Sequence, residues 1–147
     1  MTLSSRTKMR AATDGNAVEK PAIKKVFCYG DSLTAGTSPP HVGNSPYGPH
    51  LEDSLSRDDG NVVVRWKGLP GWTAATMNEF INDPNVGLQP ILDRNPSLSL
   101  VIILAGTNDI GAYTSTSIGE DFDGGEAVTP ILKLHRACLN SLDDCGD

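Results

Sequence analysis

The sequence predicts an α/β fold built on a parallel sheet. Strand-like apolar runs alternate along the chain with helical patterns, in the order strand, helix, strand, helix, strand, helix. The third run, residues 98–105, is almost continuously apolar, as expected of a strand that helices cover on both faces. Strands that are separated by helices pair in parallel through right-handed crossovers. The length of 147 residues fits one such domain.

The three strands are predicted at residues 26–29, 61–66 and 98–105, where β-branched and apolar residues concentrate. Residues 73–81 carry apolar side chains at helical spacing, which predicts a helix with one buried stripe. The other predicted helices are residues 51–55, 88–92 and 127–142, and the predicted loops are residues 37–49 and 106–125. Proline and glycine density favours the first loop, and glycine, serine, threonine and aspartate favour the second.

Composition excludes several classes of protein. With 12 basic and 18 acidic residues the net charge is −6, which disfavours nucleic acid or an anionic membrane as the partner. The longest apolar stretch, residues 100–105, is too short to span a bilayer. Residues 1–22 are predicted to form a disordered leader before a domain at residues 23–147. Because the leader lacks the apolar segment of a secretory signal, we expect a cytoplasmic protein.

The cysteines and carboxylates predict no metal site. Cys28, Cys138 and Cys145 have no C-x-x-C spacing, and free thiols are favoured over a bridge between Cys138 and Cys145. The carboxylates are scattered, without histidine pairs at ligand spacing. We therefore expect neither a metal nor a cofactor.

Polar residues or turns follow each predicted strand. Ser32 comes after the first strand, Gly71 after the second and Asn108 after the third. In open parallel sheets ligands bind beyond the carboxyl ends of the strands, so these positions can share one crevice. A serine hydroxyl there can act as a nucleophile, and backbone N–H groups with an amide NH₂ can stabilise an oxyanion. Taken singly, each residue also has a purely structural interpretation, as a helix cap or as part of a turn.

Three blocks of the chain resemble the SGNH hydrolases, also called GDSL esterases and lipases. They are VFCYGDSLTAG at residues 26–36, LPGWTA at residues 69–74 and VIILAGTND at residues 101–109, and the similarity covers about residues 25–142. The resemblance implies a flavodoxin-like three-layer α/β/α fold and hydrolysis of a small-molecule carboxylic ester without a cofactor.

The resemblance also implies roles for single residues. Ser32 would be the nucleophile that forms an acyl-enzyme, and Ser32, Gly71 and Asn108 would form the oxyanion hole. Asp31 and Asp109 would hold the loops of the site by hydrogen bonds.

One block of the family is missing from this sequence. Related enzymes carry a later Asp-x-x-His block that supplies the general base and the carboxylate orienting it, and serine is a poor nucleophile without a base. None of His41, His50 and His135 has an aspartate three positions earlier. We expect His41 and His50 to be solvated in the proline- and glycine-rich loop, and His135 to lie within the last helix, at the boundary between the core and the surface.

A flavodoxin-like strand order would leave the third strand at an open edge of a C-terminally incomplete sheet. We therefore expect the N-terminal portion of an SGNH hydrolase, from a truncated gene product or an incomplete gene model, that is inactive or weak by itself. Self-association through the open edge is a further expectation. A non-catalytic SGNH-like domain that binds a ligand or a partner remains the alternative. A nucleotide-binding domain is disfavoured, because residues 30–36 match neither G-x-G-x-x-G nor a Walker loop.

Overall fold

A computed structural model describes residues 22–37, 43–114 and 124–143. The strands are β1 (Lys24–Gly30), β2 (Val62–Gly68) and β3 (Leu100–Leu104). The helices are α1 (Ser32–Ala35), α2 (Gly48–Asp59), α3 (Ala74–Glu79), α4 (Leu88–Arg94), α5 (Thr107–Thr114) and α6 (Gly124–Asp143). The predicted leader up to residue 21, His41 and Cys145 lie outside the described residues, whereas Cys28 and Cys138 are free thiols.

The three strands form one parallel sheet in the order β2-β1-β3. Gly30 at the end of β1 is level with Gly68 of β2 on one side and with Leu104 of β3 on the other. The carboxyl ends of all three strands therefore lie on the same edge of the sheet. The predicted α/β class and parallel pairing are confirmed.

Helices cover both faces of the sheet because β1 is apolar on both sides. Val26 and Cys28 point to one face, where α2 packs with Leu51 and Leu55. Phe27 and Tyr29 point to the other, where α3, α4 and α6 supply a second core. Every one of these four β1 side chains is buried. This arrangement is the predicted three-layer α/β/α architecture.

The second core is held at its periphery by polar contacts. Thr73 caps α3, its hydroxyl accepting the N–H of Thr76 at 3.0 Å. Asn78 donates its amide to the carbonyl of Pro130 at 2.7 Å, which joins α3 to α6. Leu134 on α6 is fully buried against the same core.

Two predicted loops are partly helical. The 37–49 loop ends earlier than expected, because α2 begins at Gly48 and Pro49 lies in its first turn, where an amide donor is not needed. His50 therefore lies exposed in the first turn of α2 and not in the loop. The predicted 106–125 loop contains α5, and α6 begins at Gly124. Asp109 in the first turn of α5 bonds to a distant backbone amide, so tertiary contacts outweigh the weak helix propensity of this segment.

The outer edge of β3 has no partner strand in the described part of the chain. Leu100 is 50% exposed and Leu104 is 38% exposed, although both belong to a strand without any charged residue. Such an edge is a template for pairing with another chain. Self-association through β3 therefore stays a prediction. Within the described residues, no helix combines the length and the hydrophobicity that crossing a membrane requires.

Tyr29 is fully buried, and its hydroxyl donates to the carbonyl of Val86 at 2.9 Å. Burial raises the pKa of Tyr29 from 10.0 to about 12, because the phenolate would be desolvated. In the unfolded chain the phenol titrates near pH 10. The tyrosine therefore contributes stability that is fully present below pH 10 and is lost as the pH rises through about 12.

We expect Tyr29→Phe to lower the free energy of unfolding at neutral pH by about 1 kcal/mol, because the half-buried bond to the Val86 carbonyl is lost. Above pH 10 the variant should lose stability less steeply than the wild type. Urea unfolding followed by circular dichroism at several pH values between neutral and alkaline measures both effects. Equal slopes for the two proteins above pH 10 would show that Tyr29 ionises freely in the folded state.

Candidate active site

The segments that follow the three strands are joined at the end of β1. Asp31 donates its backbone N–H to the carbonyl of Leu104 at 3.1 Å, across to the end of β3. On the other side, Leu69 donates its N–H to the carbonyl of Gly30 at 2.8 Å. These two bonds continue the parallel pairing beyond the strands, so the chain leaves β1 between the segments that follow β2 and β3.

Ser32 occupies the first position of α1. Asp31 precedes it as the N-cap, and its Oδ1 accepts the N–H of Leu33 at 2.9 Å. Asp31 is fully buried, whereas Ser32 is half-buried. The helix ends after one turn at Gly36, which adopts a left-handed conformation with φ of 71°. The serine is therefore held on a short, capped turn at the carboxyl edge of the sheet.

Gly71 lies in a tight turn after β2. Trp72 donates its N–H to the carbonyl of Leu69 at 3.1 Å, with Pro70 and Gly71 as the two central residues. Gly71 has a φ of 81°, the conformation that a type II turn requires at its second central position and that glycine adopts without strain. Gly71 is exposed, and its own N–H takes no part in the bond that closes the turn.

Asn108 and Asp109 tie α5 to the segment after β2. Asn108 donates one amide hydrogen from Nδ2 to the carbonyl of Trp72 at 2.8 Å. Both carboxylate oxygens of Asp109 accept the N–H of Ala74, at 2.8 and 3.1 Å. Asp109 is only 4% exposed. The three segments that contain Ser32, Gly71 and Asn108 are thus linked to one another by hydrogen bonds.

Of the two described histidines, His135 lies away from this arrangement. His135 is exposed on α6 and lines a cavity of about 280 Å³ together with Ser99 and Leu100, at the amino end of β3. That end is the opposite edge of the sheet from Ser32. His50 is exposed in the first turn of α2. The described part of the chain holds no cluster of three metal-ligating side chains.

The sequence analysis did not identify two buried residues near the turn that carries Ser32. Thr34 is fully buried on α1, and the hydroxyl of Tyr47 is buried just before α2. Thr34 follows Asp31 by three residues, a spacing that places both on one side of a helical turn. Tyr47 carries no comparable signal, because it lies in a segment rich in proline and glycine that predicts only a loop.

Comparison with known proteins assigns the family. The model of the GDSL-like lipase/acylhydrolase family matches residues 28–137. The chain belongs to this family. A search of curated proteins found no match.

Solved structures share the fold of this GDSL-like chain. The lipase Lip_vut3 from a goat rumen metagenome is 17% identical with a TM-score of 0.60, over 82% of this chain and 56% of its own. A mutant of the esterase AlinE4 is 23% identical with a TM-score of 0.56, over 85% of this chain and 56% of its own. The chain therefore spans little more than half the length of the structures it resembles.

The link between Asp109 and Ala74 predicts a large effect of substitution. Asp109→Ala should lower the free energy of unfolding by about 1–3 kcal/mol, because the buried N–H of Ala74 loses its only acceptors among the described residues. Asp109→Asn should cost less, since the amide oxygen can still accept. Thermal and urea unfolding measure these differences.

Asp53→Ala provides the control for Asp109→Ala, because Asp53 is an exposed aspartate on α2. This control should change the stability by less than about 0.5 kcal/mol. Equal stability losses for Asp53→Ala and Asp109→Ala would contradict the assigned role of the buried carboxylate.

Proposed function

We propose that this chain carries the nucleophile and the oxyanion hole of a serine hydrolase of carboxylic esters. Ser32 is the proposed nucleophile, with the N–H groups of Ser32 and Gly71 and the amide of Asn108 as oxyanion donors. The observation that carries the proposal is the set of bonds joining the three segments after β1, β2 and β3. Membership of the GDSL-like lipase/acylhydrolase family supports it, as do structural neighbours named as a lipase and an esterase.

The proposed reaction proceeds through an acyl-enzyme. The Oγ of Ser32 attacks the ester carbonyl, and the carbonyl oxygen gains negative charge in the tetrahedral intermediate. Collapse of this intermediate expels the alcohol, and water then hydrolyses the serine ester. Proton removal from Ser32 is the difficult step, since a serine hydroxyl is a weak nucleophile without a base.

The hydrogen bonds of Asn108 and Gly71 are compatible with a role as oxyanion donors. The amide NH₂ of Asn108 has two hydrogens, and the bond to the Trp72 carbonyl uses one of them. Gly71 is exposed, and its N–H does not make the bond that closes its turn. Removal of one such donor typically lowers kcat by about 10²–10³-fold, because the donors are preorganised for charge that develops only in the transition state.

The proposal includes weak activity for this 147-residue chain by itself. The sequence contains no Asp-x-x-His block, and His135 lies at the opposite edge of the sheet from Ser32. Asp109 accepts the backbone amide of Ala74 through both carboxylate oxygens and Asp31 accepts that of Leu33 through Oδ1, which supports a role for both in holding the loops. The supports and the donors are thus proposed to be in place, while no histidine of the described residues is seen to contact Ser32.

Chemical rescue tests this proposal. Hydrolysis of p-nitrophenyl acetate should be slow in buffer, and added imidazole should accelerate the wild-type protein by acting as the missing base. Imidazole also hydrolyses the ester without any enzyme. The Ser32→Ala variant should react no faster than this uncatalysed background. Asn108→Ala should lower the rescued rate by at least about tenfold through loss of an oxyanion donor.

Ser45→Ala is the matched control, because Ser45 is an exposed serine outside the proposed site. It should be rescued like the wild type. Identical rates for wild type and Ser32→Ala at every imidazole concentration would contradict the proposal and favour a non-catalytic binding domain. Fast hydrolysis without imidazole that Ser32→Ala abolishes would instead show that this chain already contains a base.

A further inference from the structure

A cluster of buried polar atoms lies behind the turn that carries Ser32. Three side-chain oxygens in the described part of the chain are buried without a hydrogen-bond partner: Oδ2 of Asp31, Oγ1 of Thr34 and the hydroxyl of Tyr47. Asp31 and Thr34 are 0% exposed. We refer to Asp31, Thr34 and Tyr47 as the Tyr47 cluster.

The fold brings these residues to the carboxyl end of β1. Asp31 and Thr34 are three residues apart on the single turn of α1. The hydroxyl of Thr34 is 2.5 Å from the position that a Cβ on Gly30 would take, so it lies against the last residue of β1. Tyr47 packs against the core that contains Cys28 of the same strand. Tyr47 therefore packs against β1, with its hydroxyl near the side chains of Cys28 on β1 and Thr34 on α1.

The chemistry of the cluster combines two donors with one acceptor. Burial raises the pKa of Tyr47 to about 12, and smaller effects come from the neighbouring side chains of Cys28, which raises it, and Thr34, which lowers it, so the hydroxyl is a donor at neutral pH. Thr34 also has a hydroxyl hydrogen, whereas the free Oδ2 of the Asp31 carboxylate is an acceptor. A water molecule can accept from both hydroxyls and donate to the carboxylate. Buried waters typically make two to four such bonds to groups that are otherwise unsatisfied.

We propose that the Tyr47 cluster binds one internal water molecule and that Tyr47 is a positioning residue for the Ser32 turn. Oδ1 of Asp31 accepts the N–H of Leu33, and the backbone N–H of Asp31 donates to the carbonyl of Leu104. Fixing the free oxygen fixes the carboxylate rotamer, and with it the start of α1. This proposal does not depend on ester hydrolysis, because it concerns how the turn is held.

Amide hydrogen exchange at Leu33 is the direct readout, because its N–H bonds to the carboxylate that the cluster orients. Tyr47→Phe and Thr34→Val should each accelerate exchange at Leu33 by about tenfold, the factor that corresponds to roughly 1.4 kcal/mol. Thr34→Ser keeps the hydroxyl and should restore slow exchange. The amide of Met77, on the opposite face of the sheet, reports general destabilisation and should change much less.

Tyr29→Phe is the matched control, since it removes a buried phenol hydroxyl from the other face of the sheet. It should not accelerate exchange at Leu33 more than at Met77. Nuclear Overhauser contacts between the Thr34 and Tyr47 hydroxyl protons and a long-lived water should be present in the wild type and absent in Tyr47→Phe.

Three outcomes would overturn the proposal. Exchange at Leu33 that is unchanged in Tyr47→Phe would show that the phenol does not position the turn. Equal acceleration at Leu33 and Met77 would show only a loss of global stability. If Thr34→Ser behaves like Thr34→Val, the hydroxyl of Thr34 has no role, and this comparison decides the matter even if Tyr47→Phe fails to fold.

Discussion

The parallel pairing of β1 with both of its neighbours is the constraint from which the rest of the structure follows. It brings Gly30, Gly68 and Leu104 to one level, so that the chain leaves all three strands at one edge. The segments that carry Ser32 and Asn108, 76 positions apart in the sequence, are thereby brought into one region, which no local propensity could do. Because β1 is apolar on both faces, it must be central, and helices must cover it on both sides.

Buried carboxylates then fix the segments beyond the strands. Burying a charged group is costly unless it is hydrogen-bonded, and both Asp31 and Asp109 accept backbone amides in this structure. Asp109 reaches across to Ala74, whereas Asp31 acts on its own turn and leaves one oxygen for the Tyr47 cluster. Asp109 thus ties the segment after β3 to the segment after β2, while Asp31 holds the turn after β1. Rigidity of this kind is what preorganised donors need, since a donor that must first move contributes less to the transition state.

The sequence was most informative where a pattern reflects burial. The apolar run around Phe27 and the stripe containing Met77 predicted a strand and a helix correctly, because their spacing records which side chains the core covers. The sequence was least informative for α5. Glycine and threonine there predicted a loop, whereas the helix is stabilised by the hydrogen bond between Asp109 and the backbone of Ala74. Pro49 was predicted to lie in a loop, but it lies in the first turn of α2. Proline is excluded from the interior of a helix and is well tolerated in its first turn. Family resemblance pointed to Ser32, Gly71 and Asn108, but only coordinates could reveal Tyr47.

The central claim is that the donors of Ser32, Gly71 and Asn108 meet at one point. A crystal structure of the protein with a phosphonate covalently bound to Ser32, attached in the presence of imidazole as the base, tests this most directly, since a phosphoryl oxygen stands in for the oxyanion. The account predicts that this oxygen lies about 2.7–3.1 Å from the backbone nitrogens of Ser32 and Gly71 and from Nδ2 of Asn108. A phosphoryl oxygen that faces solvent, with the Asn108 amide directed elsewhere, would contradict it.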